Sequence, residues 1–346
     1  MKSTIVALLL ILLILLLEGL CIAVLHVKSL GKRFLYVPDD YPSIQLAIDN
    51  ANPGDFILIR EGVYVENIII ERRNGLVIKP LEGNSVVIKA KDEGRPVISI
   101  QFSKNITVFG LTITGGKAYR SAAVYILNSS EIQIQKCVLY GNNAGIWITY
   151  SQNITVANNN VLENSNGLVV QYSRNVVVIE NNIVLNGVGI DFVDASNNMI
   201  YHNNFINNKQ HVRSHKSVNA WNASYPLGGN YWDNYTAEDL KRGVHQNEPG
   251  ADGILDTPYK IDDTNIDYYP LAQPLAFQAT LSTPIITILT HTITPPTITL
   301  TQTTLSDECR ASLILLVVLV LLVTYLIIVA QKTRKRVRAT KSRKAD

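Results

Sequence analysis

Through the middle of the chain, apolar positions come in short alternating runs. In Ile154-Thr-Val156, Ile and Val share one face and Thr155 takes the other, which is the period-2 pattern of a half-buried strand. Runs of this kind are separated by Asn, Gly and Ser, residues that serve turns. They also recur: Ser103-Lys-Asn-Ile-Thr-Val, Ser129-Ser-Glu-Ile-Gln-Ile, Ser151-Gln-Asn-Ile-Thr-Val, Ser173-Arg-Asn-Val-Val-Val and Ser196-Asn-Asn-Met-Ile-Tyr, the last four starting 22, 22 and 23 residues apart. Three short strands per 22-residue period predict one coil of a right-handed parallel β-helix, each coil stacking on the last. The fold class is all-β, with about eight coils over residues 33–220 by length divided by period.

Other columns keep the period. Gly145, Gly167 and Gly189 are expected at turns of positive φ. Asn142, Asn164, Asn186 and Asn208 are expected to stack and satisfy turn backbone groups in successive coils. Cys137 stands where Asn159 and Asn181 stand one and two coils later, so it is expected to be buried and structural. The outward columns read Trp147, Val169, Asp191; Gln133, Thr155, Val177, Ile200; and Gln135, Ala157, Ile179, His202. Val177, Ile179 and Ile200 therefore predict an outer apolar patch.

The repeat breaks at both ends. Ser43 is placed to cap a short helix with Ile44, Ala47, Ile48 and Ala51 on one face, an N-terminal helical cap stopped by Pro53-Gly54. Residues 221–275 form an aromatic C-terminal capping segment, in which Thr236, Asp239 and Gly243 suggest another short helix. Residues 1–25 read as a signal peptide or N-terminal anchor, and 276–308 as a Thr/Pro-rich stalk. The uncharged run 311–330 reads as a C-terminal transmembrane helix, and 331–346 as a basic cytoplasmic tail. The expected location is the cell membrane, with the β-helix outside and a single pass, or two passes if the N-terminal segment is retained.

Charge narrows the partners. The last fifteen residues hold eight Lys and Arg against Asp346, and removing that +7 from the whole-chain +3 leaves −4 on the rest. A body of that sign does not track phosphate backbones, so nucleic acid is excluded as a partner. Three cysteines make no disulfide framework.

Three stretches carry a resemblance. Tyr36-Val-Pro-Asp-Asp-Tyr-Pro-Ser-Ile-Gln-Leu-Ala-Ile-Asp-Asn-Ala-Asn-Pro-Gly-Asp55 with Glu61-Gly-Val-Tyr-Val-Glu-Asn67 resembles the opening of pectin-lyase-like β-helix proteins. The coils are similar to the NosD-type subgroup, also described as carbohydrate-binding and sugar-hydrolase β-helices. Gly228–Tyr235, Asp252–Tyr259 and Asn265–Leu271 resemble the closing segment of archaeal surface members. The resemblance implies the fold, and with it three functions: glycan binding or cell-envelope contact by a non-catalytic surface protein, polysaccharide hydrolysis or lysis, or NosD-like metal handling.

The chemistry-bearing residues are few. Catalysis on such a fold needs carboxylates gathered on one outward face, and the candidates are Asp191, Asp194 and Glu180. Asp191 and Asp194 lie three apart, on opposite faces of a regular strand, and Asp194 follows Tyr150 and Tyr172 into a turn. Trp147 and Asp191 are the candidate substrate-binding residues, the indole as a stacking platform for a sugar ring. His211 and His215 have the i, i+4 spacing of a helical metal pair, with His202 and His245 not far in sequence. Soft copper sites want Cys or Met partners, and none stands beside that pair. Asp252, Asp256, Asp262 and Asp263 are Ca²⁺ candidates in a spacing that matches no EF-hand, and no other cofactor is called for. Five sequons mark Asn105, Asn128, Asn153, Asn222 and Asn234 as glycosylation candidates in an exported chain.

Overall fold

A computed structural model describes residues 32–83 and 85–276. The calls on 1–25, 311–330 and 331–346, and on all but the first residue of 276–308, lie outside the described residues. Each coil passes through three strands, and stacking them gives three parallel sheets. The first has eight strands from Phe34–Val37 to Met199–Tyr201, and the second eight from Gly62–Val65 to Tyr231–Trp232. The third has seven, from Ile68–Glu71 to Gln210–His215. The result is an all-β, right-handed parallel solenoid of about eight turns. Ile132 pairs with Ile154 and Ile154 with Val176, so the coil is 22 residues long.

Alternation decides what fills the interior. Ile132, Ile134, Ile154, Val156, Val176 and Val178 on the first sheet are fully buried, as are Ile146, Ile148, Leu168 and Val170 on the third. Each such side chain contributes roughly 1.5–3 kcal/mol by leaving water. Near the C-terminal end the filling turns aromatic: Trp232 stacks on Phe205 and on Tyr259, both at 4.3 Å, and Trp221 meets Phe192 edge-on at 5.8 Å.

The expected first helix forms over Ile44–Asp49, with Ser43 Oγ accepting the Leu46 N–H at 3.2 Å and Ile44, Ala47 and Ile48 buried. Glu66 accepts the Ile44 and Gln45 N–H groups at 3.1 and 3.0 Å, which satisfies two donors a helix start leaves open.

Four expectations are corrected. The repeat is 22 residues to its end, because Ala195, not Ser196, takes the place of Ser173: Ala195 N donates to Ser217 Oγ as Ser151 N does to Ser173 Oγ. A one-residue slip exchanges faces, so Ile200 is buried and Met199 and Tyr201 stand outward beside Val177 and Ile179. The Gly column is required by close approach instead of positive φ. A Cβ on Gly145 or Gly167 falls 2.6 or 2.5 Å from the carbonyl oxygen of the next glycine. Residues 236–243 form no helix; Lys241–Arg242 pairs antiparallel with Glu248–Pro249, and the Asp239 carboxylate accepts the Asp252 and Gly253 N–H groups. His211 and His215 lie on a strand and not on a helix, His211 buried and His215 exposed.

The Asn columns behave as ladders. Asn164 Oδ1 accepts from Asn142 N and Asn186 Oδ1 from Asn164 N, each at 3.0 Å. A second ladder runs Cys137, Asn159, Asn181, Asn203, Asn230, each backbone N–H donating to the next side-chain oxygen at 2.9–3.1 Å. Cys137 is fully enclosed in it, and burial pushes its thiol up to about 12. The thiolate is the reactive form, so Cys137 in the folded protein is expected to resist iodoacetamide at pH 8 and to react only under denaturant. Mass spectrometry of Cys137 peptides checks this, and rapid native labelling contradicts it.

Candidate functional site

The outer face of the third sheet carries the residues with chemistry. Register places Tyr125, Trp147, Val169, Asp191 and Arg213 in one outward column on successive coils. Coils are about 4.8 Å apart, so Trp147 and Asp191, two coils apart, are about 10 Å from one another. Tyr125 and Trp147 meet edge-to-face at 6.1 Å and 89°, over a small apolar floor of Ala122, Ala144 and Val169. The Trp147 Nε1–H donates to Gln171 Oε1 at 3.3 Å, which fixes the indole while leaving it half-buried. Burial beside the indole raises the Tyr125 phenol above its ordinary value.

Farther along the column, Arg213 grips Asp191 with two N–H bonds, Nε to Oδ1 at 2.9 Å and Nη2 to Oδ2 at 2.5 Å. The Asp191 side chain is 10% exposed and that of Arg213 51%, so the guanidinium is the part offered to solvent. The structure thus brings together Trp147 and Asp191. It disperses the three carboxylates: Asp194 sits at the corner between third and first sheets with φ +47°, and Glu180 at the corner between first and second sheets with φ +55°.

The remaining candidates have other work. His211 is buried, with Nε2 2.8 Å from Asp233 Oδ1 and Nδ1 accepting from Asn208 Nδ2 at 3.3 Å. Desolvation lowers its pKa although Asp233 pulls the other way. Asp252 accepts from Gln246 Nε2 and Ile254 N, Asp256 from Leu240 N and Lys241 N, and Asp262 from Thr264 and Asn265, while Asp263 pairs with Lys260. Each of the four is engaged within the closing segment, Asp262 and Asp263 in the same turn. Asn105, Asn128, Asn153 and Asn234 are exposed, and Asn222 is half-buried with its Oδ1 accepting from Tyr268 N.

A family model described as "Periplasmic copper-binding protein (NosD)" matches residues 48–190 and 155–237, which together span more than half of the chain. The chain belongs to the NosD family. Solved structures similar to this NosD-family chain include pectate lyase Pel9A, 15% identical, with a TM-score of 0.43 over 59% of each chain. Alginate lyase from Paenibacillus sp. str. FPU-7 is 13% identical, TM-score 0.35, over 57% of this chain and 80% of that one. Lacto-N-biosidase from Eubacterium ramulus is 12% identical, TM-score 0.41, over 57% and 56%. The chain thus covers about three fifths of the pectate lyase. No curated protein matches it.

The copper in the family's description does not fit the donors of the described residues. Among the described residues no three of His, Cys, Asp and Glu come together as a ligand set. Both His211 nitrogens are engaged, His202 Nε2 lies 2.6 Å from the Leu227 carbonyl, and Cys137 is sealed in the core.

Tyr125, Gln171 and Arg213 complete the site without having been singled out from sequence. The signal was present: Tyr125 lies 22 residues before Trp147 and Arg213 22 after Asp191.

Proposed function

We propose that this protein is an extracellular, membrane-anchored β-helix that binds glycan on the outer face of its third sheet without turning it over. The observation that carries the reading is the outward column itself. An aromatic pair held by Gln171 offers a flat apolar surface to the C–H face of a sugar. The Arg213–Asp191 pair supplies fixed donors and acceptors for hydroxyls two to three coils away. Hydrolysis or lysis needs a second acid or a base facing Asp191, and the Asp191 carboxylate is instead neutralised by Arg213. The apolar run at 311–330, the Thr-rich stretch before it and the basic tail after it support anchoring with the β-helix outside. The sequon asparagines suit a glycosylated surface.

Tryptophan fluorescence tests this directly. Of the three tryptophans, Trp221 and Trp232 are buried at 0% and 2% exposure, so a bound sugar reaches Trp147 alone. A bound polysaccharide is expected to change the emission, and Trp147→Ala to remove that change and weaken binding about tenfold. Unaltered binding by Trp147→Ala contradicts the reading.

A further inference from the structure

The corner between the third and first sheets carries a second constellation. Four columns of corner residues take left-handed backbone. Three of them hold mostly Asn, Gly and charged residues: Asn105, Glu131, Asn153, Asn175 and Asn197; Gly110, Lys136, Asn158, Glu180 and His202; Gly115, Gly141, Glu163, Leu185 and Asn207. The fourth runs Arg72, Phe102, Asn128, Tyr150, Tyr172, Asp194, Lys216, and it alone presents Phe and Tyr. Positive φ is cheap for Asn and Asp and costly for bulky side chains. Tyr150 and Tyr172, at φ +49° and +48°, are also 58% and 48% exposed, so neither backbone preference nor burial explains them.

Their rings stack at 4.9 Å and 10° beside an open groove of about 710 Å³. In this column Asn128 lies one coil before Tyr150 and Asp194 one coil after Tyr172, and both line the groove. Gln152 and Arg174 line the same groove, joined by a 2.9 Å bond from Arg174 Nη2 to Gln152 Oε1. Neither tyrosine hydroxyl has a protein partner among the described residues.

We propose that this corner is a second saccharide site, taking neutral pyranose units of a glycan. The proposal rests on the glycan-binding reading above and extends it to a separate surface. Each free ring face takes the C–H face of one sugar, and each has a polar neighbour for the hydroxyls: the Asn128 amide, which donates and accepts, and the Asp194 carboxylate, which accepts two. The groove is lined by one carboxylate, Asp194, and one guanidinium, Arg174, so it has no net charge with which to draw in an anionic chain.

The test is calorimetric titration of the full-length protein in detergent with cellohexaose and β-1,4-mannohexaose, and with hexagalacturonate as the anionic comparison. At least one neutral hexasaccharide is expected to bind. The double variant Tyr150→Asn/Tyr172→Asn is expected to weaken it about tenfold or more, with an unchanged or raised melting temperature because Asn suits this backbone better. Binding that survives the double variant but is lost in Trp147→Ala overturns the corner site and leaves the sheet-face reading standing. Binding of neither neutral probe overturns it too. Preference for hexagalacturonate, abolished by Arg174→Gln, overturns the neutral assignment.

Discussion

Asn181→Ala is expected to cost on the order of 3–6 kcal/mol of folding stability, a large share of an ordinary domain's margin of about 5–15 kcal/mol. Asn181 sits wholly buried in mid-ladder. Its Oδ1 accepts from Asn159 N and Nδ2 at 2.9 Å each, and its Nδ2 donates to Val156 O, Ile179 O and Asn203 Oδ1. Alanine leaves the buried Asn159 N–H without its acceptor and Asn159 Nδ2 with Ile134 O alone, and it removes the donors to Val156 O, Ile179 O and Asn203 Oδ1; each unsatisfied buried group costs about 1–3 kcal/mol. Asn181→Cys is expected to cost less, since Cys137 fills the same ladder with its thiol 3.2 Å from Gln135 O. Urea unfolding followed by circular dichroism measures both. A loss below about 1 kcal/mol for alanine contradicts the ladder's role.

Asp267→Ala is expected to be comparably severe, because the ladder ends on that carboxylate. Asn230 N donates to Asp267 Oδ2 at 2.8 Å, Trp232 Nε1 joins it at 2.9 Å, and Tyr269 N reaches Oδ1 at 3.1 Å. Alanine leaves the buried N–H groups of Asn230 and Trp232 without their acceptor, at about 1–3 kcal/mol each. Burial pushes the Asp267 carboxyl up to about 7, against the pull of those donors. The sign follows from proton binding: between pH 4 and 7 the folded state holds a proton the unfolded chain has released, so stability from this group is full below about pH 4 and is lost as pH rises through 7. His211, with its pKa lowered, contributes in the opposite sense as pH falls through its range. Asp267→Asn, which does not titrate, isolates the aspartate: as pH rises from 4 to 8 the denaturant midpoint of the protein is expected to fall relative to that of the variant. A constant difference across that range contradicts the assignment.

The 22-residue repeat made the solenoid legible before any coordinates, along with its outward columns and the buried Cys137. The last coil was misread by one residue because Ser196-Asn197-Asn198 imitates the Ser-x-Asn signature, whereas hydrogen bonding places Ala195 in the serine position. The glycine column was recognised, but its cause, carbonyls stacked against Cα, depends on the distance between coils, which a period does not reveal. Residues beyond the repeat were harder. Asn265 accepts from Asn219 N and Asp267 from Asn230 N, so a residue just before the strand Ile266–Asp267 and one on it receive backbone donors from the end of the solenoid. Nothing in local pattern announces a partner 46 or 37 positions away. Trp147 and Asp191 do share the outward column that the repeat predicts, two coils apart, while the Arg213 that pairs with Asp191 was passed over as part of a histidine pair's spacer.

The most direct measurement is a polysaccharide array probed with the full-length protein and with Trp147→Ala, reading retained protein and released reducing or unsaturated ends together. The account predicts retention on at least one glycan, lost or sharply weakened in the variant, with no released product. Product release abolished by Asp191→Ala, or retention indifferent to Trp147, contradicts it.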